Sequence, residues 1–424
     1  MSASDRRTSV CIAGGGPAGL MLGLLLARAG VAVTVLEKHS DFLRDFRGDT
    51  IHPTTMDLLE QLALTEAFEA IEHTAVRTLD SVIHGVRITA VDFGALQGGH
   101  GRLRFMPQWD LLNLLKDAAA QEPSFTLMMN TAVTGLVREG GRVVGVTARS
   151  ANGTSGDGDQ VTIRADLTVA ADGRASVLRE ASGLEVKRYG VPIDVLWFRL
   201  DRPPVDPPPT IAYLSTDGVV ITVPRSGYYQ VALLIEKGSW DQFRARGLAA
   251  FRNTIAQIVP FLVEPLAGLQ GWDELQLLSV QIDRLQKWYL PGFLAIGDAA
   301  HAMSPAFGIG INYAIQDAVA TANLLARPLR DGVLTENHLA AIQRRRYPPT
   351  RRMQAVQRVV NRFVGRPGDG GHLPNPAILS RAAPLVARLT RPLLGRLVGR
   401  GFRPETIAAH ILDPTWDNPR TSCT

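Results

Sequence analysis

A glycine-bounded turn between two apolar strands constrains this chain more than any other feature. Ser9-Val10-Cys11-Ile12-Ala13 has β propensity and leads directly into Gly14-x-Gly16-x-x-Gly19. Leu20, Leu24 and Leu25 then recur at helical spacing up to Gly30, a residue suited to closing a helix. A second strand, Val31 to Leu36, stops at Glu37, 23 positions after Gly14. Strand, tight turn, helix, strand and acid in that order form a dinucleotide-binding unit. Gly14 permits the turn, Gly16 lets backbone approach a pyrophosphate, and Gly19 lets helix and strand pack closely. Pro17 and Ala18 complete the loop, where free N–H groups and the helix dipole meet phosphates. Glu37, followed by Lys38, would accept hydrogen bonds from ribose hydroxyls.

At 424 residues and 46% hydrophobic content, the chain suggests two or more domains with sizeable cores. No apolar run reaches transmembrane length, and no secretory h-region follows the N-terminus. Cys11, in the first strand, and Cys423, in the tail, do not read as a disulfide, so a reducing cytoplasm is expected. The net charge of +5 is uneven: fourteen arginines and one acid, Asp369, lie between Arg344 and Arg403. Without interleaved aromatics this is not a nucleic-acid footprint. Leu385, Leu389, Leu393, Leu394 and Leu397 among Arg388, Arg391 and Arg396 fit weak membrane-surface association. They also fit a helix that packs its leucines on the body and solvates its arginines, the reading preferred here.

Two further glycine-bearing segments follow: Asp172-Gly173-Arg174-Ala175-Ser176-Val177-Leu178-Arg179, and Gly297-Asp298-Ala299-Ala300-His301. Between them the pattern is discontinuous. Residues 80–105 alternate as a hairpin, Met106 to Ala120 is helical, strands are expected at 132–137 and 143–148, and a hairpin turn follows at 150–160. Residues 190–235 are strand-rich, with Pro203, Pro204 and Pro207 to Pro209 breaking the series. Helices follow from Gly308 and from Asn337, and 367–371 reads as a linker. The domain reading is 1–78, 106–189 and 278–360 for nucleotide binding; 79–105 and 190–277 for a β-sheet substrate domain; and 361–424 for a basic helical tail.

Over residues 8–360 the chain resembles the class A flavoprotein monooxygenases, FAD-dependent aromatic hydroxylases of the para-hydroxybenzoate hydroxylase type. Asp172 to Arg179 matches the family's D-G-x-x-S-x-x-R signature. Gly297 to His301, with Pro305, Gly308, Gly310 and Asn312, matches its G-D-A-A-H-x-x-x-P-x-x-G-x-G-x-N run. Arg47-Gly48 with Pro53 and Thr55 is similar to the segment where a family arginine reaches FAD, and Gln108 stands where the family carries Arg or Gln beside the cofactor. The resemblance implies an α/β fold: a Rossmann-like FAD-binding domain, an inserted β-rich substrate domain and a C-terminal helical segment.

It also implies roles. Asp298 accepts from a ribityl hydroxyl, Gly297 leaves room for it, and Pro305, Gly308, Ile309 and Gly310 form the loop against the flavin ring. His301 is implied to be structural rather than a base, and Arg179 an anchor. Asp172, Gly173 and Arg174 serve FAD packing and nicotinamide binding. NADH or NADPH reduces FAD, O2 forms a C4a-hydroperoxide, and the distal oxygen passes to a phenolic carbon. No second G-x-G-x-x-G occurs, so the nicotinamide binds transiently; Arg44, Lys38 and Arg174 are candidates for a 2′-phosphate. Phe105, Trp197, Tyr213, Val223, Tyr228 and Tyr229 are available to line a pocket for an aromatic, polycyclic substrate. No catalytic acid or base and no metal site is read. A prenyl-lipid reductase or another non-oxygenating flavoprotein is the alternative, and monomer and homodimer both remain open.

Overall fold

The computed structural model describes residues 4–43, 50–94, 96, 100–151, 159–203, 211–225, 227–364 and 376–413. Arg44, Arg47, the tip of the 150–160 turn, the 367–371 linker and Cys423 lie outside them. The architecture is α/β, with a Rossmann-like core, a β-rich unit and a C-terminal helical segment.

Among the described residues, eight strands form the core sheet. Its spine runs Tyr289–Leu290, Phe293–Ala295, Asp159–Ala170, Ser4–Ala13, Val33–Leu36, Phe125–Met128, and Arg142–Ser150 and Thr131–Glu139 add an antiparallel ribbon. Ser4–Ala13 sits centrally in parallel, with Val10 beside both Leu167 and Val33. A strand buried on both faces must be continuously apolar, and Val10 to Ala13 are fully buried. The fingerprint helix, Pro17–Arg28, is buried from Ala18 to Ala27. Gly30, at φ 77°, ends it, its N–H donating to the Ala27 carbonyl.

Seven strands form the second sheet, in the order Gln276–Leu278, Ile193–Asp201, Tyr228–Glu236, Gly218–Pro224, Ala212–Ser215, Thr78–Ile83, Val86–Asp92. Its two faces differ because successive side chains point to opposite sides. Leu196, Phe198, Tyr213, Tyr229, Val231 and Leu233 pack under Leu248–Ile258 and the turns to Leu266. These helices lie in the 190–277 stretch, read from the sequence as a strand-rich insertion with no helix expected, although Phe251, Ile255 and Ile258 carry helical spacing. Val195, Trp197, Ile221, Val223 and Ala232 point the other way.

Thr50–Ile51, Leu103–Phe105 and Thr74–Val76 make a small sheet between the two units. The helix Pro376–Arg400 crosses Val86–Asp92 so closely that a Cβ on Gly395 would lie 2.4 Å from the Asp92 carbonyl oxygen. The C-terminal segment is thus tied to the body. The Arg345 guanidinium pairs with Glu405, and the Ile407 N–H donates to Gln61. Its leucines divide: Leu394 and Leu397 pack inward, whereas Leu385, Leu389 and Leu393 are 62%, 73% and 69% exposed. The packed-leucine reading of the sequence thus holds for Leu394 and Leu397 and not for the other three.

Candidate active site

The three glycine segments converge. A Cβ on Gly14, at φ 101°, would come within 2.4 Å of the Ala171 carbonyl oxygen, the residue before Asp172. A Cβ on Gly19 would strike the Gly14 carbonyl oxygen at 1.9 Å, and one on Gly297 would lie 3.2 Å from Ala18. Gly16 is different, because nothing lies within 4 Å of its missing side chain. Gly14 and Gly19 therefore answer to the fold, while Gly16 keeps open the space a pyrophosphate needs. Gly173 and Gly310 are open in the same way. Glu37 is buried and reaches back to this turn, its carboxylate accepting from the Gly15 N–H at 2.9 Å and the His39 N–H at 3.1 Å. Lys38 is exposed beside it. These residues fit an adenosine diphosphate group.

The third segment forms a loop under two constraints. Phe307 and Gly308 take left-handed φ of 66° and 62°. A Cβ on Gly308 would fall 2.0 Å from Thr50 Oγ1, which donates to the Gly308 carbonyl at 2.7 Å. Pro305 opens the turn, Ile309 precedes the helix Gly310–Arg330, and that helix directs its unbonded first-turn N–H groups at the loop. Such an end favours negative charge, as on a reduced flavin ring. Asn312 does not point there: its Oδ1 accepts from Thr54 at 2.7 Å and Thr55 at 2.9 Å, stitching this helix to Pro53–Gln61. Its backbone N–H lies in the first turn of the helix, beside the loop. Gln108 begins the helix Gln108–Ala119.

In the middle segment, Asp172 accepts from Ser176 and from the Leu178 N–H, so it organises the short helix Val177–Ser182. Burial raises its pKa against those hydrogen bonds. Arg174 pairs with Asp298 at 2.9 Å and donates to the Met303 carbonyl at 3.1 Å, joining the second and third segments. Arg179 pairs with Asp283.

Below the loop lies a buried ion network that the sequence did not reveal. Asp317 accepts from His301 at 2.6 Å, Arg346 at 2.9 Å and the Gly297 N–H at 3.1 Å, and Arg346 also reaches Glu405. Burial alone would raise the Asp317 carboxyl, but the His301 and Arg346 charges hold it below its ordinary pKa. His301 is thus occupied in holding the loop.

Phe105 and Val223 come together with Val91, Phe93, Leu103 and Val398, against which Phe307 and Leu394 pack. Trp197 lies on the same face, joined to this cluster through Ile221. Tyr228 is half-buried under the Arg199 guanidinium, 4.6 Å from its ring centroid. Tyr213 and Tyr229 are corrected: both lie on the helix-covered face against Phe261. Strand alternation showed that neighbouring side chains diverge, without showing which face meets the loop. Among the described residues no His, Cys, Asp or Glu group is arranged to hold a metal. Nor is any described helix long and apolar enough to cross a membrane.

Residues 7–357 match the family model described as FAD binding domain. The chain is 34% identical over 402 residues to 6-methylpretetramide 4-monooxygenase of Streptomyces rimosus, spanning 91% of this chain and 90% of that protein. It is 27% identical to aklavinone 12-hydroxylase DnrF of Streptomyces peucetius, over 78% and 70% of the two chains. Among solved structures, the OxyS anhydrotetracycline hydroxylase of Streptomyces rimosus superposes with a TM-score of 0.75 at 21% identity, covering 95% of this chain and 78% of that one. PqsL of Pseudomonas aeruginosa gives 0.73 at 22% identity, covering 85% and 98%.

Proposed function

The chain belongs to the FAD binding domain family and is a flavin-dependent aromatic monooxygenase, and from that premise we propose that it hydroxylates a polycyclic phenol with NADPH or NADH and O2. One oxygen atom replaces a ring hydrogen as hydroxyl. The other leaves as water with two electrons from the nicotinamide and one added proton. Bound FAD supplies the electron relay and the activation of oxygen.

The chain's own residues bind, orient and exclude. Gly14, Gly16, Pro17, Ala18, Gly19, Glu37 and Lys38 hold the adenosine end; Gln108, Gly173, Arg174, Gly297 and Asp298 hold the middle. The 305–310 loop and the first N–H groups of its helix hold the ring edge and favour its anionic form. Phe105, Val223, Phe307 and Val398 present an apolar wall, which shields an oxygenating site from water. One observation carries the polycyclic reading: the relative matched over nine-tenths of both chains is a 6-methylpretetramide monooxygenase. Residues 1–78, 106–189 and 278–360 would serve the cofactor, 79–105 and 190–277 the substrate, and 361–424 closure of the site, in a cytoplasmic monomer or homodimer.

The test is stopped-flow reduction of the purified holoenzyme by NADPH and by NADH with a panel of phenols, followed by turnover under ¹⁸O2. Ligand-accelerated reduction and ¹⁸O in the product are expected, with tricyclic and tetracyclic phenols preferred over simple hydroxybenzoates. Reduction that no phenol accelerates, with no ¹⁸O incorporated, returns the chain to a non-oxygenating reductase.

A further inference from the structure

Two side chains on the loop-facing side of the seven-stranded sheet carry a buried donor without an acceptor. Trp197 is 6% exposed and its indole Nε1 meets no acceptor; Gln230 is 3% exposed and its amide Nε2 meets none. Indole is a donor only, so nothing but an acceptor can satisfy it. A buried polar group left unpaired costs stability, so such groups in a folded protein ask for an explanation.

Their placement supplies one. Trp197 stands opposite Ala232, and Gln230 stands opposite both Arg199 and Val223. Trp197 and Gln230 are therefore diagonal neighbours on one face, about 7–8 Å apart. Ile221, across Ala232 from Trp197, and Val223, beside Gln230, both belong to the apolar group that includes Phe105 and Phe307. Two buried donors thus stand beside an apolar group that reaches the left-handed loop through Phe307, with the exposed Arg199 across from Gln230 on the same face. At the end of the same strand, Arg225 is buried and its charge acts on the Asp110 carboxyl.

We propose that Trp197 and Gln230 are specificity-determining donors that read acceptor oxygens, carbonyl or ionised phenol, along one edge of the aromatic substrate. This rests on the polycyclic-phenol reading and adds which part of the substrate is recognised. A hydrocarbon edge would leave both donors unpaired and bind poorly, whereas an oxygenated edge completes both.

The experiment uses holoenzyme with oxidised FAD and two probes, 1-hydroxyanthraquinone and 1-hydroxyanthracene, which differ in the carbonyl pair. Dissociation constants come from perturbation of the flavin spectrum. Trp197→Phe and Gln230→Met keep size and remove the donor. Each is expected to weaken the quinone about 5-fold while leaving the anthracene within about 2-fold. Flavin content checks folding, and either variant alone decides the point should the other fail to load FAD. Equal change for both probes, or none for either, overturns the donor assignment and leaves the polycyclic reading standing. A wild-type protein that binds neither probe overturns both together.

Discussion

The cofactor cradle and the substrate wall are built from opposite materials. In the cradle the backbone makes the contacts, and missing side chains create the space: Gly14 and Gly19 leave no room for a Cβ, and Gly16 leaves it empty. In the wall, side chains make the surface, and Phe105, Val223 and Val398 arrive from three separate elements. A backbone site dictates residue type at fixed spacing. A side-chain site asks only for apolar bulk, which many residues supply. The comparison teaches that the two halves of one active centre differ in how far a substitution must go to disable them.

The largest expected effect breaks the cradle at its turn. Gly14→Ala and Gly19→Ala force a methyl into backbone, and at Gly14 into left-handed φ, so each should cost at least about 2 kcal/mol and yield colourless protein. Gly16→Ala, at φ −77° with nothing within 4 Å, should keep its melting temperature yet lose FAD affinity at least about 10-fold. Flavin absorbance per protein, read beside thermal denaturation, separates the two cases. A Gly16→Ala protein with wild-type FAD affinity would move the pyrophosphate elsewhere.

Next in size is the network beneath the loop. Asp317→Ala strands Arg346 and His301 in a dry interior and should cost about 3–5 kcal/mol in denaturant unfolding. Because the folded carboxyl titrates below its ordinary value, its stabilisation is present above the unfolded carboxylate range. It is lost as pH falls below about 4. This network explains part of what the sequence could not show. Asp317, Arg346 and Glu405 are separated by 29 and 59 positions, and no local period links them. The cradle was legible because glycine geometry leaves few options. The wall was legible only as a set of apolar and aromatic strand residues, and Val223 and Tyr213, both in that set, occupy opposite faces. Strands of two or three residues, such as Thr50–Ile51 and Thr74–Val76, are too short to alternate at all.

His52 joins the two regions and supplies a pH test. Its Nδ1 lies 2.8 Å from the Val398 carbonyl and its Nε2 3.1 Å from the Gly308 carbonyl. A neutral ring has one N–H, and Thr50 already donates to Gly308, so the proton belongs on Nδ1, facing the helix end. Burial pushes the imidazole down from 6.5 to about 4, against the hydrogen bonds that the ring can donate to those carbonyls. For a base with a lowered folded pKa, stability is full above the unfolded value and falls as pH drops from about 6.5 towards 4, because the unfolded chain takes the proton first. The loss should approach about 3 kcal/mol, and His52→Gln should remove it from the pH profile of unfolding. An unchanged profile would mean that the ring takes up its proton in the folded protein as readily as in the unfolded chain.

The smallest effect sharpens the contrast within a single helix. Pro376–Arg400 turns Val398 into the wall at 1% exposure and leaves Leu389 outside at 73%. Truncating Val398 to Ala removes buried methyls and opens space beside Phe105, at a cost of about 1–2 kcal/mol and with looser binding of any aromatic ligand. Leu389→Gln should change stability by less than about 0.5 kcal/mol and leave ligand affinity unaltered, since the side chain touches neither wall nor loop. The same substitution tests the outer stripe. If Leu385, Leu389 and Leu393 meet an anionic vesicle surface beside Arg388 and Arg396, Leu389→Gln should reduce co-flotation with phosphatidylglycerol vesicles. If they meet a second copy of the chain, it should instead shift the sedimentation coefficient. Should Leu389→Gln unfold the protein as readily as Val398→Ala, the inward and outward faces of this helix have been assigned the wrong way round.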